Sequence, residues 1–560
     1  MKKKILLLLM IFGMIIIEGC TDLEEEILDE SLTGGATNAE ILDGSLAPAY
    51  AVLPSLFQHT IYFTLQEIST DEAILPYRGG TDWGDNGIFI DMHRHTYTSS
   101  HVRINDAWNW ITQGISRTVT AINVLTDAEG ENAALYLAEA RGLRAYYSLL
   151  MLDLYGLIFV KDDPSSTSVI LRGNDAVEYI KSELLAVEGL VSNAVGPGRI
   201  TQGAVWGLLS RLHLNAAVYR DPYADNFNFT TEDMDRVIEY TNKIIGSGQY
   251  QLSPEYFEIF DDENHDNKEL IFAVDQRAEL NGHNRLAYFS LSGDQFPLPE
   301  FERANGTDGP GITPDFYDSW VEAYGADDPS VDPRFFKENL IIPADSCIAG
   351  EDFEINRGIL RGQQYGLLTE AHGQPFKRCD DGSYRIGKLR NITRSDKTRL
   401  VNFTRQIDFT TTGSGYSTGY RVEKYEFSKQ SDTGRNKGEA DIVIIRLADV
   451  YMMRAEAKLR KGDVPGALDD VNFVRASRTA RGTPPPALAD MDLDILFRER
   501  GFEFYWEMLR RSDMIRFGKY EGTWTEKTDS DKRKRLFPIP QSAIDGASNI
   551  PGYLVQNEGY

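Results

Sequence analysis

Cysteine is scarce, with Cys20, Cys347 and Cys379 the only three in 560 residues. That excludes a disulfide-dense scaffold and a Cys-based zinc module. Cys347 and Cys379 could pair in an oxidising compartment, and the sequence leaves this open. Positive charge is also short. Lys and Arg total 58 against 85 Asp and Glu, a formal net charge of −27. Such a field repels DNA and anionic lipid surfaces, and no strong basic patch stands out against it. No phosphate loop or dinucleotide fingerprint occurs. Apolar runs of membrane length are missing too, so the mature chain is expected to carry no transmembrane helix. Aromatic residues, in contrast, are plentiful: 27 Tyr, 27 Phe and 7 Trp, or 11% of the chain.

The first twenty residues read as an address. Lys2, Lys3 and Lys4 precede an apolar run from Ile5 to Ile17, too short to span a bilayer but of signal-peptide length. The run ends in Glu18, Gly19 and Cys20. A small residue before Cys resembles a bacterial lipobox, although Glu18 is an unusual occupant. The implied chemistry is cleavage before Cys20 and acylation there, which anchors the chain through several buried acyl groups. The acidic stretch after Cys20 resembles a surface-export signal of Gram-negative lipoproteins, and it also suits a solvated tether.

Helical periodicity dominates both ends of the chain. It predicts helices over 38–57, 105–125, 134–155, 175–191, 201–219 and 231–246. In the 134–155 stretch Leu135, Ala138, Gly142, Ala145, Leu149 and Leu152 share one face. Between about 261 and 440 the periodicity fades, Gly, Pro and Asp rise, and short β-prone runs appear at Leu270–Val274 and Val422–Phe427. A stretch that long is expected to hold its own small substructures, with binding residues on its loops. Helices resume near Ile445. Leu447, Tyr451, Ala455 and Leu459 lie four apart, Gly462 and Asp463 make a turn, and Ala467, Leu468, Val471 and Val474 begin a partner helix. This is tetratricopeptide logic, and any helical hairpin shares its outline.

The C-terminal block carries a resemblance. Arg454 to Ala457 read Arg-Ala-Glu-Ala. Glu499 and Arg500 are followed by Glu503 and Phe504, and Asp513 by Arg516. Pro538 to Pro540 read Pro-Ile-Pro, and the chain closes with Gln556, Asn557, Gly559 and Tyr560. In combination these resemble the SusD/RagB family of outer-membrane nutrient-binding lipoproteins. Ser69 to Glu72, Arg78 to Gly80, Asp82 and Trp83 agree with it, as does Cys20. The resemblance implies a mainly α fold of tetratricopeptide-like helix pairs in a right-handed superhelical scaffold, supporting an irregular loop-rich ligand region with short strands. It implies a leader at 1–19, a lipidated acidic tether at 20–36, a helical region at 37–260, a mixed region at 261–440, and a C-terminal helical region and tail at 441–560. It further implies a lipid-anchored, outward-facing outer-membrane protein. Such a protein binds an oligosaccharide or other nutrient, passes it to a SusC-type TonB-dependent transporter, and is not a catalyst; no cofactor is expected, and a structural metal ion is left open.

A sugar site needs flat aromatic platforms and polar groups that bond hydroxyls. Two stretches supply them. Residues 70–87 offer Tyr77, Arg78, Trp83, Asp85 and Asn86 among glycines, and residues 305–320 end in Trp320 after a helix start at Thr313 and Pro314. Trp83 and Trp320 are expected to stack on sugar, with Arg78 and Asp85 bonding hydroxyls and Tyr288 a further contact. Either Trp could instead pack inward. Enzyme readings find less support. Gly415 to Gly419 match G-x-S-x-G, but no histidine follows Ser417 and the match falls in a Thr/Gly/Ser loop. A glycosidase carboxylate pair is not excluded by sequence, yet no alternating βα pattern suggests a barrel to hold it. His93 and His95 fall on one face if the segment is a strand, with His101 nearby; a metal site or an ordinary polar strand suits them. An extracytoplasmic hydrolase, or the same fold binding peptide or glycoprotein fragments, remains the alternative.

Overall fold

A computed structural model of the chain describes residues 38–560, apart from 79–86, 131, 326–328, 342–345, 408, 410–414 and 483. The architecture is mainly α, built of tetratricopeptide-like helix pairs. Helix α1 (Asn38–Tyr50) precedes a long antiparallel pair, α2 (Val102–Thr126) and α3 (Ala133–Tyr155). Next come α4 (Gly173–Val187), α5 (Gln202–Arg220) and α6 (Thr231–Gly246). Helix α7 (Pro314–Tyr324) lies in the mixed region. The array resumes with α8 (Leu447–Arg460), α9 (Val464–Ser477), α10 (Leu493–Phe504) and α11 (Arg510–Arg516). Each helix from α2 to α6 packs on the next, and α8 packs on both α6 and α9. The C-terminal hairpin therefore extends the N-terminal array, although nearly 200 residues separate α6 from α8 in sequence.

Local signals explain these helices. Thr201 and Thr230 cap α5 and α6, each side-chain oxygen accepting from a backbone N–H three residues on. Asp463 caps α9 in the same way, with Pro465 in its first turn. The expected 38–57 helix breaks after Tyr50 and restarts as a single turn over Leu53–Leu56, with Pro54 where a first turn tolerates it. Helix α3 differs from its amphipathic reading. Nearly everything from Ala138 to Tyr155 is buried, Glu139, Arg144 and Ser148 included, because α1, α2, α4 and α5 all pack on it. Gly142 is required there, since a Cβ would meet Ile200 Cγ2 at 2.7 Å.

The mixed region is closed at its base. Strand Leu270–Val274 pairs antiparallel with Ile442–Arg446, so the chain leaves and rejoins the helical array at one place. Within it are two three-stranded sheets. One orders Tyr365–Leu367, Tyr384–Lys388 and Ser346–Ile348; the other orders Arg421–Glu423, Arg357–Leu360 and Phe336–Lys337. The Val422–Phe427 run thus ends as a strand at Glu423. Cys347 and Cys379 form a disulfide that fastens the first sheet. Beneath that sheet lies a small core of Phe296, Phe353, Leu367, Phe376 and Ile386.

What joins the two regions is a buried charge network. Arg446 bonds Glu269 at 2.7 Å and both Glu503 and Glu507 at 2.8 Å. Arg478 holds Glu269 and Glu503 at 2.8 and 2.6 Å. Arg334, from the mixed region, reaches Asp332, Glu499 and Glu503 at 2.6, 3.1 and 3.1 Å. Arg475 pairs with Glu499 and Lys424 with Glu507. Five cations meet five carboxylates, and none of the ten side chains is more than 3% exposed. Other C-terminal charges form a neighbouring set: Arg500 on Asp513, and Arg516 on Glu456 and Asp513. These pairs tie α11 to both α10 and α8.

Charges this deep depend on one another, because removing one partner leaves the other desolvated and unpaired. Burial opposes ionisation of Glu503, but Arg478, Arg446 and Arg334 outweigh it and hold the carboxyl far below its usual range. A carboxyl depressed by folding adds stability that is complete above its unfolded value, about 4.3, and lost as pH falls toward the folded value. Glu503→Ala is expected to lower unfolding stability at pH 7 by about 3–5 kcal/mol in urea denaturation. A loss below about 1 kcal/mol, the range of surface pairs, would contradict the network's role.

Candidate functional site

The two stretches singled out in the sequence lie side by side. Ala73 pairs with Ile312 and Ile74 with Gly311 in a two-residue antiparallel ladder. Thr313 extends it, its N–H donating to the Glu72 carbonyl at 2.9 Å. Thr313 also caps α7, as the Thr-Pro pair predicts. A third loop, 415–421, joins them where Ile312 N–H donates to the Tyr420 carbonyl at 3.1 Å.

Arg78 fastens all three. Its guanidinium is buried, with Nη1 donating to the Gly415 and Thr418 carbonyls at 3.1 and 2.8 Å and Nη2 to that of Gly309 at 3.2 Å. Arg421 does the same from the other side. It donates to the carbonyls of Thr418 at 2.8 Å, Gly419 at 3.0 Å and Tyr416 at 2.6 Å. Burial lowers the Arg421 guanidinium to about 10. A fourth segment enters through Arg394, whose Nη2 bonds Asp308 at 2.5 Å while its guanidinium lies 3.7 Å from the Tyr416 ring centre. Asp308 holds a left-handed backbone, φ 55°, which Asp tolerates better than most residues. Tyr77, Tyr416 and Tyr420 are half-buried on these segments.

The expected contact residues fare differently. Arg78 belongs to this cluster, but as a buried fastener whose two Nη atoms donate to loop carbonyls, so its expected bond to a sugar hydroxyl gives way to a positioning role. Trp320 is core. It is 0% exposed and stacks on Phe502 at 3.7 Å, with Phe335 edge-on at 5.1 Å. A ring with no free face cannot be a platform. Tyr288 is buried in the short helix Leu286–Ser290, and its hydroxyl accepts from Arg435 Nε at 2.9 Å. Its ring is in a core with Leu291, Leu298 and Phe427. Trp83, Asp85 and the lipidation residue Cys20 lie outside the described residues.

Other sequence candidates find structural explanations. His93 lies in the helix Ile88–Arg94 and His95 caps it, so the strand expectation fails. His93 faces the carbonyls of Ile68 and Thr525 at 2.9 and 2.7 Å, and His95 that of Ser69 at 2.8 Å. Ser417 of the G-x-S-x-G match is 5% exposed in the 415–421 loop, whose carbonyls serve Arg78 and Arg421. His265, Asp275 and Asp441 converge, yet protein donors already engage the two carboxylates: Asp441 accepts from His265 Nδ1 at 2.6 Å and from Gln276 N–H, and Asp275 from Arg277. The sequence reading missed Tyr416 and Tyr420. Only proximity to 70–78, which spacing does not reveal, distinguishes them from the chain's many other tyrosines.

A helical-repeat scaffold with a loop-built face on its mixed region defines the fold class. Comparison then gives the relatives. Residues 397–532 match the model of the SusD family. The chain is 27% identical over 524 residues to the starch-binding protein SusD of Bacteroides thetaiotaomicron, covering 89% of this chain and 85% of that protein. Among solved structures, it is similar to a SusD superfamily protein from Parabacteroides distasonis (TM-score 0.66, 17% identity, 94% and 100% of the two chains). It is also similar to surface glycan-binding protein A of B. thetaiotaomicron in complex with laminarihexaose (TM-score 0.62, 19% identity, 92% and 99%). The chain is thus similar to SusD-family proteins in sequence and in fold.

Deleting a buried aromatic leaves a cavity, whereas trimming a half-exposed ring does not. Trp320→Ala is therefore expected to cost about 3–5 kcal/mol in urea denaturation, and Tyr416→Ala about 1 kcal/mol or less. Equal costs for the two would mean that one ring is misplaced.

Proposed function

We propose that this chain is a cell-surface lipoprotein, anchored through acylated Cys20, that binds an oligosaccharide or polysaccharide. It hands that ligand to a SusC-type TonB-dependent transporter and breaks no bond in it. The observation that carries the reading is the fastening of 72–78, 307–313 and 415–421 into one face by Arg78 and Arg421. Buried guanidiniums spent on loop carbonyls contribute rigidity, and a preorganised loop face loses less entropy when a flexible glycan docks. Tyr77, Tyr416 and Tyr420 supply half-exposed rings for apolar sugar faces, and Trp83 and Asp85 remain proposed contacts from the segment that follows Arg78. The relatives support a glycan as ligand: one is a starch-binding protein, another was solved with laminarihexaose.

The test is calorimetry on the full chain in detergent with laminarihexaose and a maltooligosaccharide, followed by chromatography of the recovered sugar. Binding without shortening is expected, and a Trp83→Ala, Tyr416→Ala double variant should weaken it by about tenfold or more, since each stacked ring contributes about 1 kcal/mol. Shortened sugar, or an unchanged affinity in the double variant, would reject the reading. Cys20→Ser is expected to move the protein from the membrane fraction to the soluble fraction.

A further inference from the structure

The net charge of the chain conceals a local reversal. Residues 377–399 hold eight Lys and Arg against three Asp, a local excess of five positive charges in a protein of net charge −27. Folding concentrates part of that excess. Strand Tyr384–Lys388 sets Lys388 directly across from Tyr365. Beside this pair opens a groove of about 780 Å³, lined by Lys388, Arg390, Lys397, Tyr365 and Asp294, among others. Lys377 also lines it but is paired with Glu370. Lys388 and Lys397 are exposed and form no ion pair among the described residues. Arg390 is held at the rim by one hydrogen bond, from Nη1 to the Thr398 carbonyl at 3.0 Å.

The groove also has features of a recognition site and not only of a charged surface. Asp294 is 1% exposed; Oδ1 accepts from the Thr393 N–H and hydroxyl, both at 2.8 Å, while Oδ2 has no hydrogen-bond partner among the described residues. A buried carboxyl oxygen without a partner costs stability unless something engages it. Burial and the nearby Asp308 carboxyl raise Asp294 to about 6, so near neutral pH it exists in both the accepting and the donating form. Tyr365 is half-buried, with part of its ring open to the groove. The volume lies in the range of ligand pockets.

We infer that this groove binds an acidic oligosaccharide, with Lys388 and Lys397 pairing its anionic groups, Tyr365 lying along a sugar face and Asp294 engaging a hydroxyl. Glu370, which also lines the groove, offsets Lys377 and part of Lys397; the remaining positive charge repels itself and is relieved by an anion. A neutral glucan offers none. A long polyanion feels the whole negative chain, whereas a short acidic oligosaccharide seated within a Debye length, about 8 Å, is governed by the local field. Uronate and sulfate groups present the same anionic chemistry, so the test separates them. This inference rests on the glycan-binding reading and extends it to a second surface and a charged ligand class.

The experiment is calorimetry on the full chain in detergent with four probes: a hexagalacturonate, a heparin-derived hexasaccharide, laminarihexaose, and lipopolysaccharide vesicles. One of the two acidic hexasaccharides is expected to bind, and which one identifies the anionic group. Lys388→Ala with Lys397→Ala should weaken that binding about tenfold, as should about 0.5 M NaCl, while leaving laminarihexaose unaffected. An unchanged acidic affinity in the double variant overturns the proposal, as does binding of the vesicles with neither acidic sugar. Binding of laminarihexaose alone overturns the groove and leaves the general glycan reading standing. If no sugar binds, both fail.

Discussion

The buried charge network is the constraint on which the arrangement depends. Glu503 on α10 is bonded by Arg446 at the end of a closing strand, by Arg478 beyond α9 and by Arg334 in the mixed region. Apolar packing alone is non-directional and tolerates sliding. A ring of alternating charges does not, because each shift leaves an ion desolvated and unpaired. Apolar residues of the same volume could match its stability, but they would not fix the angle at which nearly 200 residues of mixed structure sit on the helical array.

The same economy recurs at the loop face on a smaller scale. Arg78 and Arg421 spend their donors on backbone carbonyls of loops that have no sheet of their own to satisfy them. Fastening the loops from within leaves side chains on their outer surface available for ligand. The arginines lie inside and position the loops, and half-buried tyrosines sit at the rim.

Much of this was legible in the sequence because it depended on local pattern. The bounds of α2, α3, α5 and α6 follow closely from spacing, and the structure adds the caps at Thr201 and Thr230. What spacing could not show was the number of neighbours. Leu149 and Leu152 define a face of α3, but four packed helices bury the other faces as well. Trp320 shows the same limit. A helix start at Thr313 does not say which way Trp320 faces, while Phe502 and Phe335, which enclose it, lie far away in the chain. Arg78, expected to bond a sugar hydroxyl, instead fastens loops from within, since nothing in Arg-Gly-Gly distinguishes a ligand donor from a loop fastener. The basic stretch at 377–399 was lost in the whole-chain charge, because an average over 560 residues hides a reversal confined to 23. The disulfide was open in sequence and formed in structure, since Arg385 pairs with Cys347 and brings the Cys379 turn alongside.

The central claim is that a fixed loop face on a helical-repeat scaffold holds an intact glycan. A crystal structure of the chain soaked with a bound oligosaccharide tests it most directly. The account predicts density for unbroken sugar against 76–78, 305–311 and 415–421, with the Arg78 and Arg421 bonds to the loop carbonyls unchanged. Sugar seated along the helical repeats away from these loops, or cleaved within the crystal, would contradict it.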